Sequence, residues 1–213
     1  MYAYFYDNKF VYIVYEKANG GNLFELIKSG HHFSNEELAK IFAEITRGLI
    51  YLKKRNIIHR DLKLENILVH QEEDQLTHQI EYHIKITDFG CSCQYFNKKP
   101  TTICGTAEYL APEICNFKPY DFAIDTWALG VIMYELISGH SPFSSGDNKI
   151  TMEKIKAYND FSSLSGHLVE KKVDKSFIEM MRKILEKDLS KRIQIEDVLT
   201  EKWMRDNLQE NKY

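Results

Sequence analysis

The chain opens on two apolar runs. Ala3–Tyr6 and Phe10–Glu16 read as strands, with Asp7-Asn8 as the turn between them. Gly20-Gly21 breaks the chain before a short helix around Leu23–Lys28. Ser34-Asn35-Glu36-Glu37 has the form of a capping box. Leu38, Ile41, Phe42, Ile45, Leu49 and Leu52 follow at helical spacing, so a long amphipathic helix is expected there. Ile67-Leu68-Val69 and Ile84-Lys85-Ile86-Thr87 read as two short strands. The 14 polar residues between them, His70 to His83, are long for a hairpin loop. Residues 90–119 carry few apolar runs. Asp125 then starts a helix, Thr126 to Ser138, that is apolar nearly all round and belongs at the centre of a domain. Met180, Met181, Ile184 and Leu185, then Ile195, Val198, Leu199 and Trp203, predict further helices. The expected fold class is α+β, dominated by helices.

Composition narrows the function classes. At ~150 residues per domain, 213 residues make one large domain or a domain and a half. With 44% hydrophobic and 13% aromatic residues, the chain can bury a sizeable core, which excludes disorder as a description of the whole. Lys plus Arg is 28 against 31 Asp plus Glu, a net charge of −3. That balance gives no general attraction to nucleic acid or an anionic membrane, and neither is an expected partner. The longest apolar stretch, Trp127 to Ile137, is too short to span a bilayer and contains Glu135. The first residues have no basic region and no small-residue cleavage site, so no signal peptide is expected. Cys91, Cys93, Cys104 and Cys115 read as free thiols in a reducing compartment, hence an intracellular location in cytoplasm or nucleus. The oligomeric state is left open.

The chemistry lies in His59-Arg60-Asp61-Leu62-Lys63-Leu64-Glu65-Asn66 and, 22 residues after Asn66, Asp88-Phe89-Gly90. Phosphoryl transfer needs positioning and charge stabilisation more than covalent help. A carboxylate must orient the attacking hydroxyl and accept its proton. A cation must sit near the transferring group, and hard oxygens must hold Mg²⁺ with only one or two protein carboxylates. Asp61, Lys63, Asn66 and Asp88 supply that list.

The chain resembles the eukaryotic protein kinases. His59 to Asn66 fits the catalytic-loop pattern and Asp88-Phe89-Gly90 the metal-binding triplet. Ala111-Pro112-Glu113 is similar to the end of the activation segment, and Asp125 to Gly130 resembles the start of the family's central helix. Arg192 sits where the family pairs an arginine with the Glu113 position. The resemblance implies Asp61 as catalytic base, Lys63 as γ-phosphate contact, Asn66 and Asp88 as Mg²⁺ ligands, and ATP as the phosphoryl donor. Lys63 and Thr106 resemble the serine/threonine class, with a protein Ser or Thr as acceptor. Ala107 stands where the family usually has proline. Glu16 and Ala18 fall where the hinge backbone meets adenine, Tyr15 at the back of the pocket and Leu68 under adenine. Thr102 is the expected phosphoacceptor of the activation segment, with Arg60 as its partner. Thr106, Glu65 and Glu135 are implied in substrate binding, the two glutamates attracting basic residues. Residues 98–102 (Lys-Lys-Pro-Thr-Thr) are similar to Aurora-type kinases.

The expected division is 1–18 as a remnant of the small lobe, 19–205 as the large lobe and 206–213 as a tail. No GxGxxG and no Val-Ala-x-Lys occurs in the chain. Two readings therefore compete: a fragment or truncated form of an active kinase, and a catalytically silent, pseudokinase-like scaffold. The intact set of Asp61, Lys63, Asn66 and Asp88 favours the first. A small-molecule kinase of related fold is disfavoured by Lys63 and Ala111-Pro112-Glu113. Several residues have plainer readings. The resemblance implies that His59 packs under Phe89 rather than exchanging protons. Cys91 and Cys93 lack a second pair for metal binding. His70, His78 and His83 with Glu72-Glu73-Asp74 read as a solvated loop, and Met180-Met181 as core filling.

Overall fold

The computed structural model describes residues 1–75, 78, 80–96 and 98–208. Strands β1 (Ala3–Tyr6) and β2 (Val11–Val14) pair antiparallel, from Ala3↔Val14 to Tyr6↔Val11. Their turn is tied by Asp7, whose Oδ1 accepts the Lys9 and Phe10 N–H groups at 2.7 and 2.8 Å. Both faces of this hairpin are exposed. Helix α1 (Leu23–Lys28) starts on an Asn22/Glu25 capping box. Helix α2 (Asn35–Lys54) starts on the predicted Ser34/Glu37 box and buries the predicted apolar face. The short β3 (Ile57–Ile58) follows.

Strands β4 (Ile67–Glu73) and β5 (Ile80–Ile86) form one long antiparallel hairpin, with register running from Ile67↔Ile86 to Glu73↔Ile80. This corrects the expected 14-residue loop between His70 and His83. Ladder hydrogen bonds do not depend on side-chain polarity. The β5 positions Tyr82, Ile84 and Ile86 alternate with polar residues and pack on the core. The polar neighbours had hidden that period of two.

Strand β6 (Cys93–Gln94) pairs with β3. Beyond it lie α3 (Pro112–Cys115), α4 (Ala123–Ser138), α5 (Asn148–Ala157), α6 (Ser162–Glu170), α7 (Lys175–Ile184), α8 (Ile195–Val198) and α9 (Lys202–Asn207). Helix α4 begins a few residues before the expected Thr126. Trp127, Leu129, Val131, Ile132 and Met133 are fully buried along it, as the all-round apolar pattern requires. The rings of Phe42, Phe177 and Trp203 meet at 5.0–6.4 Å and join α2, α7 and α9. Met180 and Met181 are core. The fold is α+β: a helical body carrying small two-stranded sheets. Of the expected tail 206–213, Asp206 and Asn207 end α9, and residues 209–213 lie outside the described ones. No helix among the described residues is long and apolar enough to cross a membrane.

Candidate active site

The segment after β3 turns sharply. Arg60 adopts φ +70°, a left-handed conformation. Asp125, in the first turn of α4, secures the bend. Its carboxylate accepts the His59 N–H at 2.8 Å and the Arg60 N–H at 3.0 Å. Complete burial raises the Asp125 pKa, while those two N–H groups oppose the rise. His59 Nε2 meets the Thr87 carbonyl at 2.9 Å, and Nδ1 lies 3.4 Å from the Asp61 N–H. The ring is a strut between the two segments. Its face meets Phe89 edge-on at 5.0 Å.

The hairpin root brings the other groups in. The Thr87 N–H donates to the Asn66 carbonyl at 3.0 Å, one pair beyond Ile67↔Ile86. Asp88 thus follows directly on the residue paired with Asn66. Asn66 Nδ2 donates to the Asp61 carbonyl at 2.8 Å. Thr106 Oγ1 donates to Asp61 Oδ1 at 2.9 Å and accepts from Lys63 Nζ at 3.0 Å. Lys63 Nζ lies 3.5 Å from Asp61 Oδ2. Asp88, at φ +60°, is exposed and accepts the Gly90 N–H.

This donor set fits Mg²⁺. With Nδ2 engaged, the Asn66 amide keeps Oδ1 for a ligand, and Asp88 adds a solvent-facing carboxylate. One carboxylate and one amide oxygen suit an ion that retains waters and takes phosphate oxygens. Among the described residues no group of three or more His, Cys, Asp or Glu could hold a metal.

The remaining predicted residues lie outside this bonded set. Glu16 is exposed, and its side chain pairs with Lys85 on β5 at 3.0 Å. Ala18 and Leu68 are partly buried, and Leu68 bridges to Asn22. Thr102 is exposed. The Arg60 guanidinium is engaged elsewhere: it donates to the Cys91 and Ser92 carbonyls and to the Tyr120 hydroxyl. Tyr120 in turn donates to the Thr102 carbonyl at 2.7 Å, so it links the two. Glu65 is exposed. Glu135, implied in substrate binding, is not on an open face. It is partly buried beneath Tyr109, whose hydroxyl donates to it at 2.6 Å, and burial pushes its pKa up to about 7. The sequence reading also missed what Asp125 does. The signal was there: an acid in an otherwise apolar helix must find donors.

A model of the protein kinase domain matches residues 1–204. The chain is 34% identical over 205 residues to an Aurora kinase of Dictyostelium discoideum, covering 96% of this chain and 49% of that protein. It is 33% identical over 212 residues to Aurora kinase B of Drosophila melanogaster, covering 99% and 60%. It is 32% identical over 207 residues to Aurora kinase C of Mus musculus, covering 97% and 69%. The chain thus spans about half the length of the Dictyostelium relative. The matched residues take in the catalytic-loop pattern, the Asp88-Phe89-Gly90 triplet and the helical body around them, and the chain belongs to the protein kinase domain family.

Proposed function

We propose that this chain carries the catalytic groups of a serine/threonine protein kinase, which transfers the γ-phosphoryl group of ATP to a protein Ser or Thr hydroxyl. The observation that carries the reading is the bonded set of Asp61, Thr106, Lys63 and Asn66, with Asp88 one residue past the Thr87–Asn66 pair. Asp61 orients the attacking hydroxyl and takes its proton. Lys63, tethered by Thr106, supplies the cation beside the transferring group. Asn66 and Asp88 hold Mg²⁺, whose chemistry when bound is neutralisation of phosphate charge. Thr106, bonded to both the base and the cation, is read as a residue that meets the acceptor, a reading its two bonds support. Glu65, exposed near this set, favours Lys or Arg N-terminal to the acceptor.

The test is Asp61→Asn in the natural protein, with ADP release and phosphopeptide formation measured. Turnover should fall by about 10²–10⁴ at an unchanged melting temperature. Undiminished turnover overturns the assignment. A peptide array checks the preference, and an acidic or proline-directed optimum contradicts it.

A further inference from the structure

We infer that the outer edge of β5 at Tyr82, with the acidic flank of α2 beside it, is a docking site for a basic, extended peptide that adds a third strand to the β4–β5 hairpin. The ladder sets the parity. Because the Thr87 N–H donates to the Asn66 carbonyl, pairs 66/87, 68/85, 70/83 and 72/81 exchange the inter-strand bonds. Positions 69 and 71 on β4, and 82 and 84 on β5, therefore turn their N–H and C=O groups outward.

On β4 the outward row is filled. The Gly20 N–H donates to the Val69 carbonyl at 2.8 Å, and the Val69 N–H donates to Gly21 at 2.9 Å. The Asn19 side chain brackets Gln71 at 2.7 and 2.9 Å. On β5 the Ile84 N–H donates to Glu44 Oε2 at 2.6 Å. The N–H and C=O of Tyr82 have no partner among the described residues. A free strand edge of this kind accepts another strand. It is also held in place. The Tyr82 ring meets Phe33 at 5.6 Å and His31 at 5.7 Å, and its hydroxyl lies 3.2 Å from His31 Nε2. A rigid edge lowers the ordering cost of association.

The edge opens on a cleft of 440 Å³ between β5 and α2. Four carboxylates line it, Glu36, Glu37, Glu44 and Glu81, against two cations, Lys40 and Arg47. Ile80, on the Tyr82 face of the strand, stays 51% exposed at the same cleft and offers an apolar contact. The charge excess selects the occupant. A second copy pairing through this edge would bring two acidic flanks together, and like charges oppose that. A basic segment meets opposite charge.

The probe is a synthetic peptide of three basic residues followed by alternating valine and threonine. Binding is read by fluorescence anisotropy and by ¹⁵N chemical shifts on the full chain. Saturable binding is expected, with the Tyr82 amide among the largest shifts. Affinity should fall about tenfold for the Glu36→Lys/Glu81→Lys double variant, and be lost for a peptide with a central proline. Binding should survive Asp61→Asn, which separates docking from phosphoryl transfer. No binding, equal affinity for the double variant, or shifts centred on Asp61 would overturn the site. Peptide-free dimerisation through Tyr82, seen by sedimentation, would assign the edge to a second copy and overturn it too.

Discussion

Arg192 and Glu113 face each other as two parallel hydrogen bonds, Nη1 to Oε1 at 2.8 Å and Nη2 to Oε2 at 3.0 Å, with both side chains almost wholly buried. The pair ties α3 to the segment before α8. Arg192 also donates to the Ala123 and Glu186 carbonyls and lies 5.1 Å over the Trp127 ring. Removing one partner strands a buried charge, which costs about 3–5 kcal/mol. Arg192→Met is expected to lower the melting temperature by roughly 10 °C. Adding Glu113→Leu to it should restore part of that loss, because no lone charge then remains. Calorimetry on the two singles and the double checks this, and strictly additive losses would contradict it.

Gly105 holds Thr106 in the candidate site. Its φ is +102°, and a Cβ there would stand 2.5 Å from the Arg60 carbonyl oxygen. Alanine meets both backbone strain and a backbone clash. Gly105→Ala should therefore cost on the order of 1–2 kcal/mol of stability. It should also cut turnover, because the segment must shift and take Thr106 away from Asp61 and Lys63. A variant with unaltered melting and unaltered kinetics would contradict this account.

The local signals were legible in the sequence. Both Ser34-Glu37 and the apolar face of α2 follow from spacing alone, and so does the central place of α4. The Arg192–Glu113 pairing and the His59–Phe89 contact were reached through the family resemblance. What was not legible depends on distant partners. The β4–β5 hairpin is built from polar text whose outer rows are met only in part, by Asn19 at Gln71 and Glu44 at Ile84, residues far away in the chain. The burial of Glu135 is not legible because nothing near it in the chain announces Tyr109. Tyr120 was unremarked, since its role exists only once Arg60 and Thr102 come to its two sides.

That Tyr120 link gives a test of the proposal that Thr102 is a regulatory phosphoacceptor. Arg60 is bonded through Tyr120 to the Thr102 carbonyl while Thr102 is unphosphorylated. On that proposal, phosphate on Thr102 would add close to two negative charges and strong acceptors for Arg60. Tyr120→Phe removes the link and leaves an Arg60 N–H without its partner. Amide exchange over residues 101–106 should then quicken in the unphosphorylated protein, with phosphorylated Thr102 restoring protection. Thr102→Ala should lower activity. Equal exchange in both proteins, or unchanged kinetics for Thr102→Ala, would remove this role.

Glu135 gives the chain a pH dependence whose sign can be worked out. Burial is the largest cause of its raised pKa, with the Tyr109 hydroxyl pulling down and the charges of Glu108 and Glu65 pushing up. The folded value is about 7 against 4.5 for the free group. Between those values the folded state binds more protons than the unfolded one, so stability falls as pH rises. The penalty is small near pH 4.5 and complete above about 7. Glu135→Gln keeps an acceptor for Tyr109 and removes the charge. It should stabilise by on the order of 2 kcal/mol at pH 8 and change little at pH 5. Melting temperatures of the two proteins across that range decide it. A difference that stays constant with pH would mean that Glu135 titrates as a free carboxylate.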